Sequence, residues 1–339
     1  MIQERLKALR AEMEKRGITV YVVPTADFHE SEYVGDHFKA RKFITGFTGS
    51  AGTAVITLDE AGLWTDGRYF VQAENQLKDS TVTLYRMGEE GVPTVDEFVK
   101  DRLKEGGCLG FDGRVVNGTW GGRLEKIAAE KNVSMHVTED LIDLIWEDRP
   151  ALSKQPLFIL EEKYSGKSTA DKIGDLRKAM KENGADVHIL TSLYDIAWLL
   201  NIRGNDIDYV PVVLSYLVLN ETECIWFLQE EVVDDKIRAY LEENHITTKP
   251  YDAIYDYVPE IPADAVVLMN RGTVNYRIVN SLDKAIKVVD KPNPTELMKA
   301  VKNKTEVDNT RAAHVKDGVA FTKFMYWLKT NIGKIPMTE

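Results

Sequence analysis

An aspartate and an arginine stand two residues apart in Asp66-Gly67-Arg68-Tyr69, at the end of an apolar hairpin. Such a pair can close into a surface salt bridge. It can also hold one guanidinium toward a cleft, where the rigid fork of arginine donors suits carboxylates and carbonyls. Exposed pairs contribute little stability, and local chemistry alone favours the salt bridge. His29-Glu30-Ser31-Glu32 has the opening of a zincin motif, but the second histidine would have to stand where there is Tyr33, so no metal site is expected there. His37, His136, His188, His245 and His314 are scattered without ligand spacing and read as structural or surface residues. Asp206 and Asp208 with Arg203 form a charged loop that either binds a ligand or is solvated. There is no Gly-x-Ser-x-Gly elbow and no phosphate loop ending in Lys-Ser/Thr. Trp64, Trp198 and Trp226 lie in apolar runs and read as core.

The elements that must position these groups surround them in the sequence. Gly46, Gly49 and Gly52 recur every third residue among small hydroxyl side chains, which suits a loop that takes positive φ or lets another surface come close. Residues 53–58 read as a buried strand, 59–62 as a turn and 63–65 as the return strand of a hairpin. Upstream, Ile2, Leu6, Leu9 and Met13 fall at helical spacing, and Gly17 closes that helix before a buried strand at 18–23. The same phrase returns 167 residues further on, from 17 to 184: Ile173, Leu176, Arg177, Met180 and Gly184, then a strand at 187–190. A helix-glycine-strand phrase repeated at this scale predicts two copies of one α/β domain.

The first copy continues as alternating helices and strands, 69–77, 81–87, 95–104, 108–111, 123–131, 133–137 and a last helix at 141–146, the pattern of a layered α/β domain. Residues 148–156 lose periodicity, hold two prolines and read as the linker. The second copy has a short helix at 194–201, a polar loop at 203–208 and strands at 212–219, 224–228, 265–269 and 286–289, with helices at 232–244 and near 253–258. Lys291-Pro292-Asn293-Pro294 marks a second break. The domains are therefore expected at 1–150, 151–291 and 292–339. The last holds two helices, at 296–302 and 306–331, and the longer one carries an apolar stripe that wants a sheet to cover it.

A chain of 339 residues exceeds what one core usually holds, and 44% apolar residues permit real cores. With 54 acidic against 43 basic residues the net charge is −11, which argues against a nucleic-acid surface. Cys108 and Cys224, the only cysteines, are far apart and form neither a disulfide framework nor a metal site, so a reducing, cytoplasmic setting is expected. The charged stretch from residue 1 to 17, without an apolar core, does not read as a signal peptide. The longest apolar run, 209–219, is too short for a bilayer, which takes roughly 20 residues.

The strings RKFITGFTGSAGTAVIT and LWTDGRYFVQAE resemble the N-terminal domain of the Xaa-Pro aminopeptidases (aminopeptidase P) of the creatinase and prolidase family. EDLIDLIWEDRP, LYDIAWLLNIRGNDIDYVPVVLSYLVL and ELMKAVKNKTEVDNTRAAHVKDGVA support the resemblance in the order of the long, three-domain form. It implies two tandem creatinase-N-terminal-like (ribonuclease H-like) α/β domains with mixed sheets, followed by the first helices of a pita-bread domain. It also implies hydrolysis of the bond between an N-terminal residue and a following proline. That chemistry would use two divalent metals, commonly manganese, held by two Asp, one His and two Glu in the pita-bread domain. All five ligands would lie beyond this chain, which should therefore be catalytically inactive and hold no metal. The family's peptide-contacting arginine maps onto Arg68, so substrate contact overtakes the salt bridge there, and a homodimer is implied.

Two readings follow. In the first, the chain is the N-terminal part of an Xaa-Pro aminopeptidase, ending before the metal site and contributing channel wall and subunit contacts. In the second it is a complete non-catalytic scaffold or peptide-binding module of the same ancestry, as metal-less relatives in chromatin factors imply. An apolar helix left with nothing to pack on favours the first.

Overall fold

The computed structural model describes residues 2–338. The helix Ile2–Lys15 buries Leu6, Leu9 and Met13, one face at helical spacing, and Gly17, at φ +68°, turns the chain into the first strand. Six strands make the first sheet: β1 (Val20–Pro24), β2 (Thr53–Thr57), β3 (Ala61–Thr65), β4 (Thr83–Arg86), β5 (Cys108–Phe111) and β6 (Ser134–His136), in the order β4-β3-β2-β1-β5-β6. β1 pairs antiparallel with β2 and β2 with β3, while β3–β4, β1–β5 and β5–β6 are parallel. The inner strands β1, β2, β3 and β5 are buried on both faces, while the edge strands β4 and β6 are not. Tyr21 and Val23 join the cluster under the N-terminal helix, and Val20 and Val22 join a second one with Phe98 and Leu109.

A two-stranded patch, β7 (Phe158–Ile159) with β9 (Ile202–Arg203), leads into the second copy. Its sheet comprises β8 (Val187–Leu190), β10 (Ser215–Leu219), β11 (Cys224–Leu228), β12 (Ile246–Pro250), β13 (Val266–Met269) and β14 (Lys287–Asp290), in the order β12-β11-β10-β8-β13-β14. Each pairing has the same sense as its counterpart in the first sheet. The repeat is therefore one of topology as well as of phrase.

The two copies meet through equivalent residues. Val116, Asn117 and Gly118 correspond to Val274, Asn275 and Tyr276, each 158 residues on, as β5 corresponds to β13 from 108 to 266. Gly118 N–H donates to Val274 O (2.8 Å) and Tyr276 N–H to Val116 O (2.7 Å). Thr119 N–H donates to Arg271 O (3.1 Å) and Arg277 N–H to Gly113 O (2.9 Å). Asn117 and Asn275 bridge each other and cap equivalent helices, Gly118–Glu130 and Tyr276–Ser281. The apolar cores interpenetrate as well, with Phe28 and Phe38 of the first copy in the second copy's core and Tyr276 in the first's.

Several expectations are corrected. Residues 141–146 are a run of turns rather than a helix. Asp140 takes the Ile142 amide (2.9 Å), the Tyr21 hydroxyl takes that of Leu141 (3.0 Å), and Leu141 and Ile142 are drawn into the core. The helix expected from 123 starts at Gly118, because Asn117 caps it despite its glycines. The strand β12 and the helix Tyr276–Ser281 were not anticipated; β12 is a polar edge strand ending at Pro250, which edges tolerate. Beyond Pro294–Ala300, the helix Lys304–Asn331 runs for 28 residues with none buried, and Val315, Phe321, Phe324 and Trp327 are exposed. No helix among the described residues is long and apolar enough to cross a membrane.

Candidate functional site

The glycine loop earns its composition from contacts. Gly46 caps the helix Ala40–Thr45 in the left-handed region at φ +78°. A Cβ on Gly49 would stand 2.2 Å from the Phe47 ring, and one on Gly52 2.9 Å from Trp64 O. Arg41, which sequence reasoning missed, holds this loop from inside: Nε donates to Thr25 Oγ1 (2.9 Å), Nη1 to Phe47 O (2.5 Å) and Nη2 to Gly49 O. It is buried without a carboxylate partner among the described residues, and burial pulls its guanidinium down to about 10. Its flanks, Lys39 and Lys42, gave it the look of a solvated cation. Outside, Ser50 Oγ and Tyr69 OH lie 2.6 Å apart, and Gln76 accepts from Thr48 N (2.9 Å), which ties the loop to the helix Phe70–Gln76.

This loop forms one wall of a cleft of about 900 Å³ between the two copies, a size suited to a small molecule or a few peptide residues. Asp206, Asp208 and Tyr209 come to it from the second copy, Glu32, Tyr33 and His37 from the first. Asp206 is buried and structural: its Oδ1 accepts from Gln155 N (3.2 Å) and Oδ2 from Leu214 N (2.8 Å), pinning the linker. Arg203 does not join Asp206 and Asp208 but lines a different cavity, so the charged constellation expected from the sequence is not assembled. Tyr209 sits at φ +65° with its whole side chain in solvent, an arrangement costing on the order of 1–3 kcal/mol that clusters at ligand sites. Ile207 and Val210 bridge beneath it. Tyr33, 56% exposed, is the second free aromatic at the cleft.

A smaller cavity of about 260 Å³ shares Thr25, Glu32, Val34 and Ser50 with the cleft and is lined by Asp66. Arg68 stands outside both linings, with its side chain 68% exposed. Its Nε donates to Asp66 Oδ1 and its Nη2 to Oδ2, both at 2.8 Å, and its own backbone N–H also reaches Oδ1 (3.1 Å). The guanidinium hydrogen bonds hold the Asp66 carboxyl down at about 2.

The histidines resolve as structural or surface groups. His29 is sealed between the copies: Nδ1 lies 3.1 Å from Thr191 O and Nε2 2.6 Å from Tyr251 OH. A carbonyl only accepts, so Nδ1 carries the proton and Nε2 accepts from Tyr251. His188 is buried against Leu268 O (3.0 Å), His37 faces Pro150 O (2.7 Å), and His314 is on the exposed helix. Among the described residues no group of three or more His, Cys, Asp or Glu could hold a metal ion. Trp64, stacked on Tyr85 at 4.1 Å, and Trp226 are core; Trp198 is only half-buried.

Two family models, each describing a creatinase/prolidase N-terminal domain, match the chain, one over residues 5–145 and the other over 148–306. The chain is 38% identical over 342 residues to a probable Xaa-Pro aminopeptidase P of Sordaria macrospora, covering 97% of this chain and 55% of that protein. It is 33% identical over 340 residues to Xaa-Pro aminopeptidase 1 of Dictyostelium discoideum, covering 98% and 54%. It thus spans about half the length of the curated relatives it matches. The solved structure of X-prolyl aminopeptidase from Caenorhabditis elegans, described as a cytosolic enzyme with a di-nuclear active site, matches at a TM-score of 0.92 and 31% identity, over 98% of this chain and 56% of that one.

Proposed function

Both halves of the chain belong to the creatinase/prolidase N-terminal domain family, and from that premise we propose that it is the N-terminal, non-catalytic part of a metal-dependent Xaa-Pro aminopeptidase. Such an enzyme releases the N-terminal residue from peptides with proline in second position. In this reading the chain supplies a wall of the substrate channel and contacts of a cytoplasmic homodimer, without nucleic-acid or membrane partners. The observation that carries it is the likeness to the worm X-prolyl aminopeptidase, which runs through nearly the whole chain and both copies.

Two divalent metals, manganese in this proposal, would activate a water and polarise the scissile carbonyl. The described residues do not fit that pair, since they bring no ligand cluster together, and the proposal gives them binding and orientation only. Arg68 is suited to that work. Asp66 occupies its Nε–H and one Nη2–H, so three of its five N–H donors still face solvent, held in a fixed direction by the pair. The salt bridge and the substrate contact are thus compatible. Tyr209 and Tyr33 offer exposed ring faces of the kind that receive proline-containing segments.

The test joins these domains to the metal-bearing domain of such an enzyme. Arg68→Ala should lower kcat/KM by about ten- to a hundredfold, the effect of one charge-assisted contact, and leave the melting temperature unchanged. A variant that melts early yet keeps its kinetic constants would overturn the role of Arg68. Xaa-Pro hydrolysis by the 339-residue chain alone in manganese would overturn the non-catalytic reading.

A further inference from the structure

Away from the interdomain cleft, a cavity of about 490 Å³ opens between the second copy and the helix Lys304–Asn331. Its lining holds four cations, Lys172, Arg203, Lys299 and Lys302, against one carboxylate, Glu306. In a chain of net charge −11 this is a local inversion of sign. Lys299 is answered by Asp195 at 2.5 Å, and Glu306 is engaged in capping its own helix, where Oε2 accepts from Asn303 N at 2.9 Å. The other three cations meet no carboxylate within ion-pair distance among the described residues.

Lys172, 1% exposed, donates to Trp198 O (2.8 Å) and Asn201 Oδ1 (2.6 Å), with its ammonium 4.4 Å from the centre of the Trp198 ring. Burial, opposed by Glu306 and reinforced by Arg203 and Lys167, lowers that ammonium to about 8. Lys302 donates to Lys299 O (2.8 Å). Arg203 spends Nη1 on Ile202 O (3.1 Å) and Ala197 O, and its Nε and Nη2 meet no acceptor among the described residues. That free Nε–Nη2 edge is the one that grips two oxygens of a carboxylate or phosphate side by side.

Lys172 is buried and Arg203 half-buried, and unpaired cations taken out of water are costly unless an opposite charge joins them, while Lys302 stands exposed at the rim. We propose that this cavity binds a small oxyanion, a carboxylate or a phosphate group, through the free edge of Arg203 with Lys302 and Lys172 behind it. The cavity is larger than the anion alone, and Tyr164, 49% exposed, and Tyr194 flank it with ring surface for whatever bears the group. The site is independent of the peptidase reading, since it uses neither Arg68 nor the interdomain cleft.

The experiment titrates the 339-residue chain by calorimetry at low ionic strength with three probes. These are inorganic phosphate, an N-acetyl dipeptide with a free C-terminal carboxylate, and the same dipeptide amidated. Saturable one-site binding of phosphate or of the free acid, with the amide inert, is expected, and which of the two binds tighter identifies the source of the group. Arg203→Lys keeps the charge but loses the fork, and Lys302→Gln removes an exposed charge. Each should weaken binding about tenfold, as for the loss of one charge-assisted contact, with melting unchanged. Lys78→Gln, on the surface of the first copy, should bind as wild type. The proposal is overturned if none of the probes saturates, if the amide binds as well as the acid, if both cavity variants bind as wild type, or if Lys78→Gln weakens binding as much as they do.

Discussion

His29→Asn tests the interdomain junction through its response to acid. In the folded protein burial pushes the His29 imidazole down to about 4 from its ordinary 6.5. Once unfolded it takes up a proton below pH 6.5, whereas the folded protein refuses one until pH 4. The stabilisation is therefore complete above pH 6.5 and is lost as the pH falls toward 4. A difference of this size corresponds to about 3 kcal/mol for a fully buried group. At pH 7.5 the asparagine variant leaves the buried Tyr251 hydroxyl without its acceptor, which should cost about 1–3 kcal/mol. Because asparagine does not titrate, that deficit should vanish as the wild type loses its own advantage. The two melting temperatures should thus converge between pH 7 and 4, by roughly 2–12 °C for a deficit of about 1–3 kcal/mol at the scale of domains of this size. His188, likewise buried and lowered, adds acid sensitivity of the same sign to both proteins, so the difference between the curves isolates His29. Exposed carboxylates such as Asp66, held at about 2, act below this window. Differential scanning calorimetry at half-unit pH steps reads the effect. Parallel profiles for wild type and variant between pH 7 and 4.5 would refute the buried, neutral histidine.

Gly121→Ala would place a methyl 2.1 Å from the Tyr276 ring, so the copies must separate locally; a loss of about 1–3 kcal/mol and faster proteolysis across residues 148–156 are expected, and unchanged melting and cleavage would contradict this. Arg41→Met strips the donors from Phe47 O, Gly49 O and Thr25 Oγ1, so hydrogen exchange should accelerate across residues 46–52 with about 1–3 kcal/mol of stability lost; protection equal to wild type would show that the loop holds itself. Tyr209→Gly relieves a left-handed backbone at an exposed side chain, and the relief less the chain entropy of glycine leaves the protein unchanged or up to about 2 kcal/mol more stable while Xaa-Pro peptide turnover by the joined enzyme falls; unchanged turnover would make the exposed ring incidental.

What could be read from the sequence was what repeats along it. The helix-glycine-strand phrase is local, strongly periodic and twice written, so two α/β copies and the strands that open them, β1 and β8, could be read before any contact was known. What could not be read depends on partners far away in the chain. His29 lies in a string that fails as a metal motif, and nothing beside it says that Tyr251, 222 residues on, will receive it. Arg41 hides among lysines because burial of a cation is a property of the loop that folds over it. Arg203 was grouped with Asp206 by proximity in sequence, yet β9 turns it into the cavity under the long helix. Asp66 and Arg68 were legible as a pair, and their bonding leaves open donors that a salt-bridge reading alone would not count.

The junction explains why a repeated domain gives one defined pair rather than a chain of interchangeable copies. Its backbone bonds are reciprocal, as in a two-fold interface, so the docking direction follows from two copies of one hydrogen-bonding edge. The side chains break that symmetry. Gly118 and Gly121 on the first copy correspond to Tyr276 and Val279 on the second, and each glycine faces one of these larger residues: Val279 against Gly118, Tyr276 against Gly121. Two first copies would meet glycine to glycine and leave voids, while two second copies would drive tyrosine and valine into each other. Only the mixed pair fills the space, so specificity comes from the penalty on like pairs as much as from the fit of unlike ones. That fixed pairing sets the width of the cleft and brings Tyr209 and the glycine loop to the same cavity. Replacing Gly121 therefore tests the cleft as well as the junction.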